Sequence, residues 1–569
     1  MKTKVQITET KDQNGSYVIN EKYDIQNGQY GVWEANKKSF IFVPKGSAVY
    51  IDEVINHLDT KEISFVLRFF NAEGKEVRVP FARKELTEQG IMSLLAYGVQ
   101  VLKQDAKILI ASILNQEPSA KRESIHTSVG FTKYDGKTVF LANKAIGVES
   151  SYRGNLKIEE TGKYSKWKKM IKTEVLGNIP LEFILSVACS GVFVDYLQEK
   201  IPLENIIIAL VSESSTGKST AGELLVSCGA KPSFQGDGLV LNFSDTQNAI
   251  MSIIPSSYPV LIDEGSLLNY NPTKLLYNLA MGTEKRRLNK DLEKVPPSYF
   301  KTAIAITSEK SLLSISDENS GLLVRVLEIE NVTWTKDAQS ADTIKEVINA
   351  NYGWLIPKIA EKIISIEEEF GEDEIKNLYW ECYNDLIKKV KNQGYNNSLM
   401  GRACKQYAVI LLSACYIDSV MDIVLDYDGI TDFILKHSPV RESDFANIGS
   451  RALTYLMQFI SENYSKFLSK DNDNVTPINC LGRIRDVRQS VMKNGMSYNK
   501  RLYISEITLQ KILKDRKFPD VKVVLKKWKE EGVLKCEKDR YLSNIKIIDD
   551  LPIKGYVINL PDSDNNNNE

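Results

Sequence analysis

Residues 205–225 read NIIIALVSESSTGKSTAGELL. The apolar run Ile206–Val211 has the length of a strand buried on both faces. A Ser/Gly-rich turn follows, Ser212–Ser219, and the pattern beyond Ser219 is helical. A buried strand, a turn of this composition and a helix make a phosphate-binding loop. Backbone N–H groups of the turn and of the helix start converge on an anion. Lys218 reaches the β and γ phosphates, and the Ser219 hydroxyl ligates Mg²⁺. Ser214, Ser215, Thr216, Gly217 and Thr220 complete the cradle, so ATP and Mg²⁺ are the expected cofactors. One position departs from G-x-x-x-x-G-K-[ST]: Ser212 stands at the first glycine. That glycine eases the turn out of the strand, and here a serine has to serve.

Working outward, three more short apolar runs follow with helices between them, as in a parallel sheet. PVLIDEG ends in Asp263 and Glu264. After a phosphate loop, an acid at the end of a neighbouring strand completes the Mg²⁺ shell through water, and the next carboxylate polarises the attacking water. Asp263 is the magnesium-side acid and Glu264 the general base. Alone, an apolar run followed by Asp-Glu is an ordinary strand entering solvent; its distance from Lys218 favours the site. TAIAITSEKS brings Thr307 and Ser308 to the same strand end, where one hydroxyl would hold the attacking water. SGLLVRVLEIE puts Arg325 just before a strand, where it could project as an arginine finger onto a neighbouring subunit's nucleotide.

The chain has 569 residues, enough for about three or four domains. Lys plus Arg is 73 and Asp plus Glu is 74, a formal net charge of −1. That excludes a uniformly basic DNA-coating protein and an acidic disordered chain. Seven scattered cysteines form no C-x-x-C pair, and there are three histidines, so a structural zinc site is not expected. Single cysteines of this kind read as reduced thiols in a cytoplasmic protein. The first residues, MKTKVQITETKDQNG, have no apolar core of a signal peptide. The apolar stretch Phe183–Val194 is too short for a bilayer span and reads as a buried helix, so no membrane partner is expected.

Residues 1–160 are expected to form a β-rich/α N-terminal region. Residues 86–115 have helical periodicity, and Asn71–Gly74 and Asp135–Gly136 mark strand turns. Residues 161–335 form the α/β core and 336–475 a helical region. Residues 476–560 are expected to form a winged-helix-like basic domain. Ser505 caps one helix, VKVVLKKWKEEGVL is a second, and LKCEKDRYLSNIKI with GYVINL makes a hairpin. From Leu481 to Ile545 there are 17 Lys and Arg against 8 Asp and Glu, a local net of +9. Lys522, Lys526 and Lys527 crowd the second helix and Lys535 opens the wing, so this module is the expected DNA contact, with a protein-interaction role as the alternative. Residues 561–569 read as a disordered tail.

The set S-S-T-G-K-S-T, L-I-D-E, Y-N-L-A-M-G-T-E-K-R-R, A-I-T-S-E and G-L-L-V-R-V-L resembles the MCM-like AAA+ helicases of staphylococcal cassette chromosome elements. The resemblance spans roughly residues 30–440. It implies an AAA+ core in a homo-hexameric ring, with single-stranded or forked DNA in the pore and replication proteins encoded nearby as possible partners. Where that family often has serine–threonine–glycine–glutamate, this chain has Ile306–Glu309, which leaves Thr307 and Ser308 both open as the sensor. Glu284–Leu288 and Leu292–Val295 would pair as the family's pre-sensor hairpin, with Lys290, Arg286 and Arg287 meeting the DNA backbone; Arg287, which matches the family's glycine–lysine–arginine run, could equally face the nucleotide. Arg402, at a helix start, could reach the nucleotide as a second sensor. The expected activity is ATP-driven unwinding. The alternative is an ATP-controlled initiator or assembly switch without processive motion.

Overall fold

The computed structural model describes residues 23–36, 39–234, 238–268, 270–283, 287–288, 294–295, 299–316, 320–393, 398–440, 448–473, 475–493, 496–515, 518, 521–537, 540–548 and 551–561. The chain forms two units, Met1–Asn155 and Leu156–Glu569.

The first unit is built on two main sheets. β1 (Tyr23–Gln26), β2 (Gln29–Asn36) and β3 (Ser39–Ser47) form an antiparallel meander. β4 (Tyr50–His57), β5 (Ile63–Phe70), β6 (Glu76–Ala82), β7 (Arg122–His126) and β10 (Ser151–Tyr152) form a second sheet in the order β10-β7-β4-β5-β6. Alternation in β5 buries Phe65, Leu67 and Phe69 on one face, as period-two patterning requires. Both expected turns form. Asn71 accepts the Gly74 N–H across one, and Asp135 and Gly136 take positive φ between β8 (Gly130–Tyr134) and β9 (Lys137–Leu141). The periodic stretch 86–115 is not one helix. It splits into α1 (Glu88–Ser93) and α2 (Ala106–Gln116). Gly98, at φ 96°, turns the chain, and the backbone beyond it bonds to the end of β3 (Ser47 N–H to Gln100 O, 2.9 Å).

The second unit contains a parallel five-stranded sheet. Its strands are β11 (Ile206–Val211), β12 (Val240–Asn242), β13 (Val260–Asp263), β16 (Ala303–Ser308) and β17 (Val326–Glu330), in the order β12-β13-β16-β11-β17. Four of them are the apolar runs read from the sequence. Every residue of β11, β13 and β16 is buried, which is why these runs do not alternate. β12, only three residues long, gave no periodic signal. The apolar stretch lies in α4 (Ile179–Leu197), whose side chains from Leu181 to Leu197 are buried in the protein. By length and composition alone this helix could cross a membrane. Between β13 and β16, β14 (Arg287–Leu288) pairs antiparallel with β15 (Lys294–Val295). Arg286 and Lys290 lie outside the described residues, as does the side chain of Arg287.

Helices follow the sheet: α9 (Ala338–Ala350), α10 (Leu355–Phe370), α11 (Glu374–Asn392), α12 (Ser398–Met421) and α13 (Tyr427–His437). The C-terminal module has its own core. Helix Ile448–Glu462 contributes Ala452 and Leu456 to it, beside Leu502, Leu509, Val524, Trp528 and Ile558. The Trp528 indole N–H ties this helix in by donating to Gly449 O (2.7 Å). The division expected at residues 475/476 therefore passes between this helix and the core it shares. A long hairpin, β19 (Gly482–Lys493) and β20 (Met496–Ser505), was not read from the sequence. Its charged residues hide the alternation of Ile484, Leu502 and Ile504. Ser505 caps helix Glu506–Asp515 through the Thr508 N–H, as expected. Helix Val521–Glu531 follows, then β21 (Leu534–Lys535), β22 (Ser543–Lys546) and β23 (Pro552–Pro561). Strand β23 takes in Pro561, the first residue of the expected tail; residues 562–569 lie outside the described residues.

Candidate functional site at the carboxyl edge of the parallel sheet

The turn after β11 leads directly into α5 (Lys218–Ser227). Left-handed backbone falls at Ser215 (φ 67°) and Gly217 (φ 86°), and not at Ser212. Ser212 therefore needs none of glycine's freedom, and its hydroxyl braces the loop by a 2.6 Å bond to the Thr216 hydroxyl. A Cβ on Gly217 would lie 2.8 Å from Thr335 Oγ1, so this glycine is required twice over. No side chain caps the start of α5, so its first N–H groups are left for an anion. The Lys218 ammonium folds back onto the carbonyls of Ser212 and Glu213. Burial lowers its pKa, against the pull of Glu309 and Asp263.

Asp263 ends β13, and Thr307 lies next to last in β16. The Thr307 hydroxyl donates to Asp263 and accepts the Glu264 N–H (3.1 Å). The Ser308 hydroxyl turns away into its own loop, donating to Lys310 O (2.6 Å). Of the two residues left open, Thr307 is the one joined to the acids. Glu264 takes a left-handed conformation (φ 60°), and its carboxylate accepts from Asn242 Nδ2 (3.2 Å) at the end of β12. Asn242 was missed because nothing marked that strand. Glu309, the last residue of the A-I-T-S-E motif, accepts a hydrogen bond from the Ser214 hydroxyl. Together Ser214–Thr220, Asp263, Glu264, Thr307, Ser308 and Glu309 line a cleft of about 700 Å³, with Thr335–Ala338, which lead into α9, and Lys345 within that helix also lining it. Glu223, one turn into α5, is half-buried, and that burial raises its pKa; Lys345 opposes this and Asp263 adds to it.

Arg325 and Arg402 are elsewhere. Val326 pairs with Ile207, so Arg325 stands at the amino edge of the sheet, about 17 Å of strand from the phosphate loop. Arg402 is exposed near the start of α12 and acts electrostatically on Tyr277, as Arg325 does. On the C-terminal module, helix Val521–Glu531 buries Val524, Leu525 and Trp528 and exposes Lys522, Lys526 and Lys527; Lys527 pairs with Glu530 (2.9 Å). Lys535 is also exposed.

The class these features define is a mixed α/β protein ending in a helix-turn-helix module. Residues 447–563 match a family described as the Cch helix turn helix domain, and residues 21–294 match a domain of unknown function, DUF927. The chain is similar in fold to the solved structure described as "SCCmec type IV Cch - active helicase". The TM-score is 0.73 at 21% identity, covering 95% of this chain and 97% of that one. The resemblance read from the motifs is thus met across nearly the whole chain. No curated protein matches the sequence.

Proposed function

We propose that this protein is an ATP-driven DNA helicase or translocase of the AAA+ class that serves a mobile genetic element in the cytoplasm. One observation carries the reading. Lys218, Ser219, Asp263, Glu264 and Thr307 meet in one cleft at the carboxyl edge of a parallel sheet whose loop-bearing strand β11 lies between β16 and β17. The fold likeness to a protein described as an active helicase supports the same reading.

In this account the loop N–H groups and the start of α5 bind the nucleotide phosphates, and Lys218 exchanges its two carbonyl partners for phosphate oxygens. Glu264 takes a proton from the attacking water, and Thr307 holds both acids in register. Ser219 and Asp263 are hard oxygen donors in the same cleft and fit Mg²⁺, which keeps most of its waters and would be held by these two residues and the phosphates. When bound, that ion neutralises phosphate charge. Because Arg325 is too far from its own phosphate loop to touch it, its role as an arginine finger requires a neighbouring subunit. That distance supports a ring, which we take to be a hexamer. Arg402 belongs to the same interface, not to its own cleft as a second sensor. Exposed lysines of the C-terminal module (447–563) and the β14–β15 hairpin would meet DNA phosphates. The test is ATP hydrolysis and forked-duplex unwinding by Lys218→Ala. Both should be lost with the melting temperature unchanged, and unwinding at the wild-type rate would refute the proposal.

A further inference from the structure

Arg325 is not free in the single chain. Its Nη2 bonds Glu204 Oε1 (2.5 Å), its Nη1 donates to Gly321 O (2.9 Å), and its guanidinium lies 4.9 Å from the Tyr277 ring centroid. Its side chain is only 15% exposed. Buried among these groups, Nε has no hydrogen-bond partner. A covered guanidinium with one unsatisfied N–H is poorly settled, because a buried donor left unpaired costs free energy. A phosphate, which accepts from two guanidinium nitrogens at once, would satisfy it better. Glu204 lies just before β11, so the strand that leads into one subunit's phosphate loop begins beside the residue that holds its finger. Lys301 is a second cation that interacts with Glu204. Its ammonium donates to Leu203 O (3.1 Å), so Glu204 would not be left without a cation if Arg325 departed.

We propose that Glu204 is a positioning residue that latches Arg325 within its own subunit, and that a neighbour's nucleotide γ-phosphate displaces it. The inference rests on the arginine-finger reading above. An ion pair of this partial exposure gives a modest latch, so its removal should change assembly-dependent activation by roughly fivefold. Full-length wild type, Glu204→Gln, Glu204→Asp and Arg325→Ala are compared for ATP turnover per protomer against protein concentration, with thermal melting as a check of fold. Glu204→Asp keeps a charge beside Lys301 but shortens the reach to Arg325. Arg325→Ala should lose concentration-dependent turnover. Both Glu204 variants should reach half-maximal turnover at roughly fivefold lower protein concentration, with kcat at saturation within about twofold of wild type. An unchanged half-point in both, with Arg325→Ala inactive, overturns the latch and leaves the ring reading standing. Turnover lowered at saturation in the Glu204 variants also overturns it, since Glu204 would then assist Arg325. Arg325→Ala turning over like wild type removes the ring reading and the latch together.

Discussion

At Gly217 two demands coincide, a left-handed backbone and the close approach of Thr335. Gly217→Ala should therefore weaken nucleotide binding roughly tenfold, the cost of about 1–2 kcal/mol for an L-residue held at that φ. Equilibrium binding of a fluorescent nucleotide checks this. Ser212→Gly should change affinity little, since Ser212 does not occupy that region. Asn242 offers a finer test. It holds the Glu264 carboxylate, so Asn242→Ala should alter kcat while leaving nucleotide affinity within about twofold, the signature of a contact to the base and not to the phosphates. The loop could be read in the sequence because its residues are consecutive, and the two acids because they close an apolar run downstream of it. Asn242 could not, because its three-residue strand carries no pattern, and neither could the Arg325–Glu204 pair, whose partners lie 121 residues apart.

Among elements, the strands buried on both faces were the most legible, since an unbroken apolar run has few other uses at that length. Charged two-stranded ribbons were the least legible: in β20 the buried Tyr498, Leu502 and Ile504 have Lys500 and Arg501 among their neighbours, which masks the period. β17 carries a prediction of its own. Glu328, buried there, accepts the N–H groups of Leu312 and Leu313. Burial, with Glu330 adding to it, raises its pKa from 4.5 to about 7. Between those values the native chain binds a proton that the unfolded chain lacks. Stability contributed by this group is complete below pH 4.5 and is lost as pH rises through about 7. Glu328→Gln keeps the acceptor and removes the charge. It should raise the melting temperature at pH 8 and flatten the loss between pH 5 and 8; an unchanged pH profile would count against it. Helix Val521–Glu531 carries another. Lys522→Glu with Lys526→Glu should weaken binding to duplexes of unrelated sequence alike and reduce the slope of log affinity against log salt by about 2, measured by anisotropy titration.

For the molecule as a whole, a net charge of −1 conceals a segment of +9 between Leu481 and Ile545. The protein should bind nucleic acid through limited surfaces rather than coat it. Fold similarity over 95% of the chain agrees with the resemblance carried by a few short motifs, although only 21% of residues are identical. ATP hydrolysis in the β11–β13–β16 cleft is proposed to drive strand separation. This is tested most directly by unwinding of a forked duplex by the full-length chain with ATP and Mg²⁺, beside Glu264→Gln and beside a non-hydrolysable analogue. Wild type should unwind with ATP and Mg²⁺ and not with the analogue, while Glu264→Gln should bind ATP, melt like wild type and separate no strands. Unwinding by Glu264→Gln at the wild-type rate, or equal unwinding with the analogue, would contradict it.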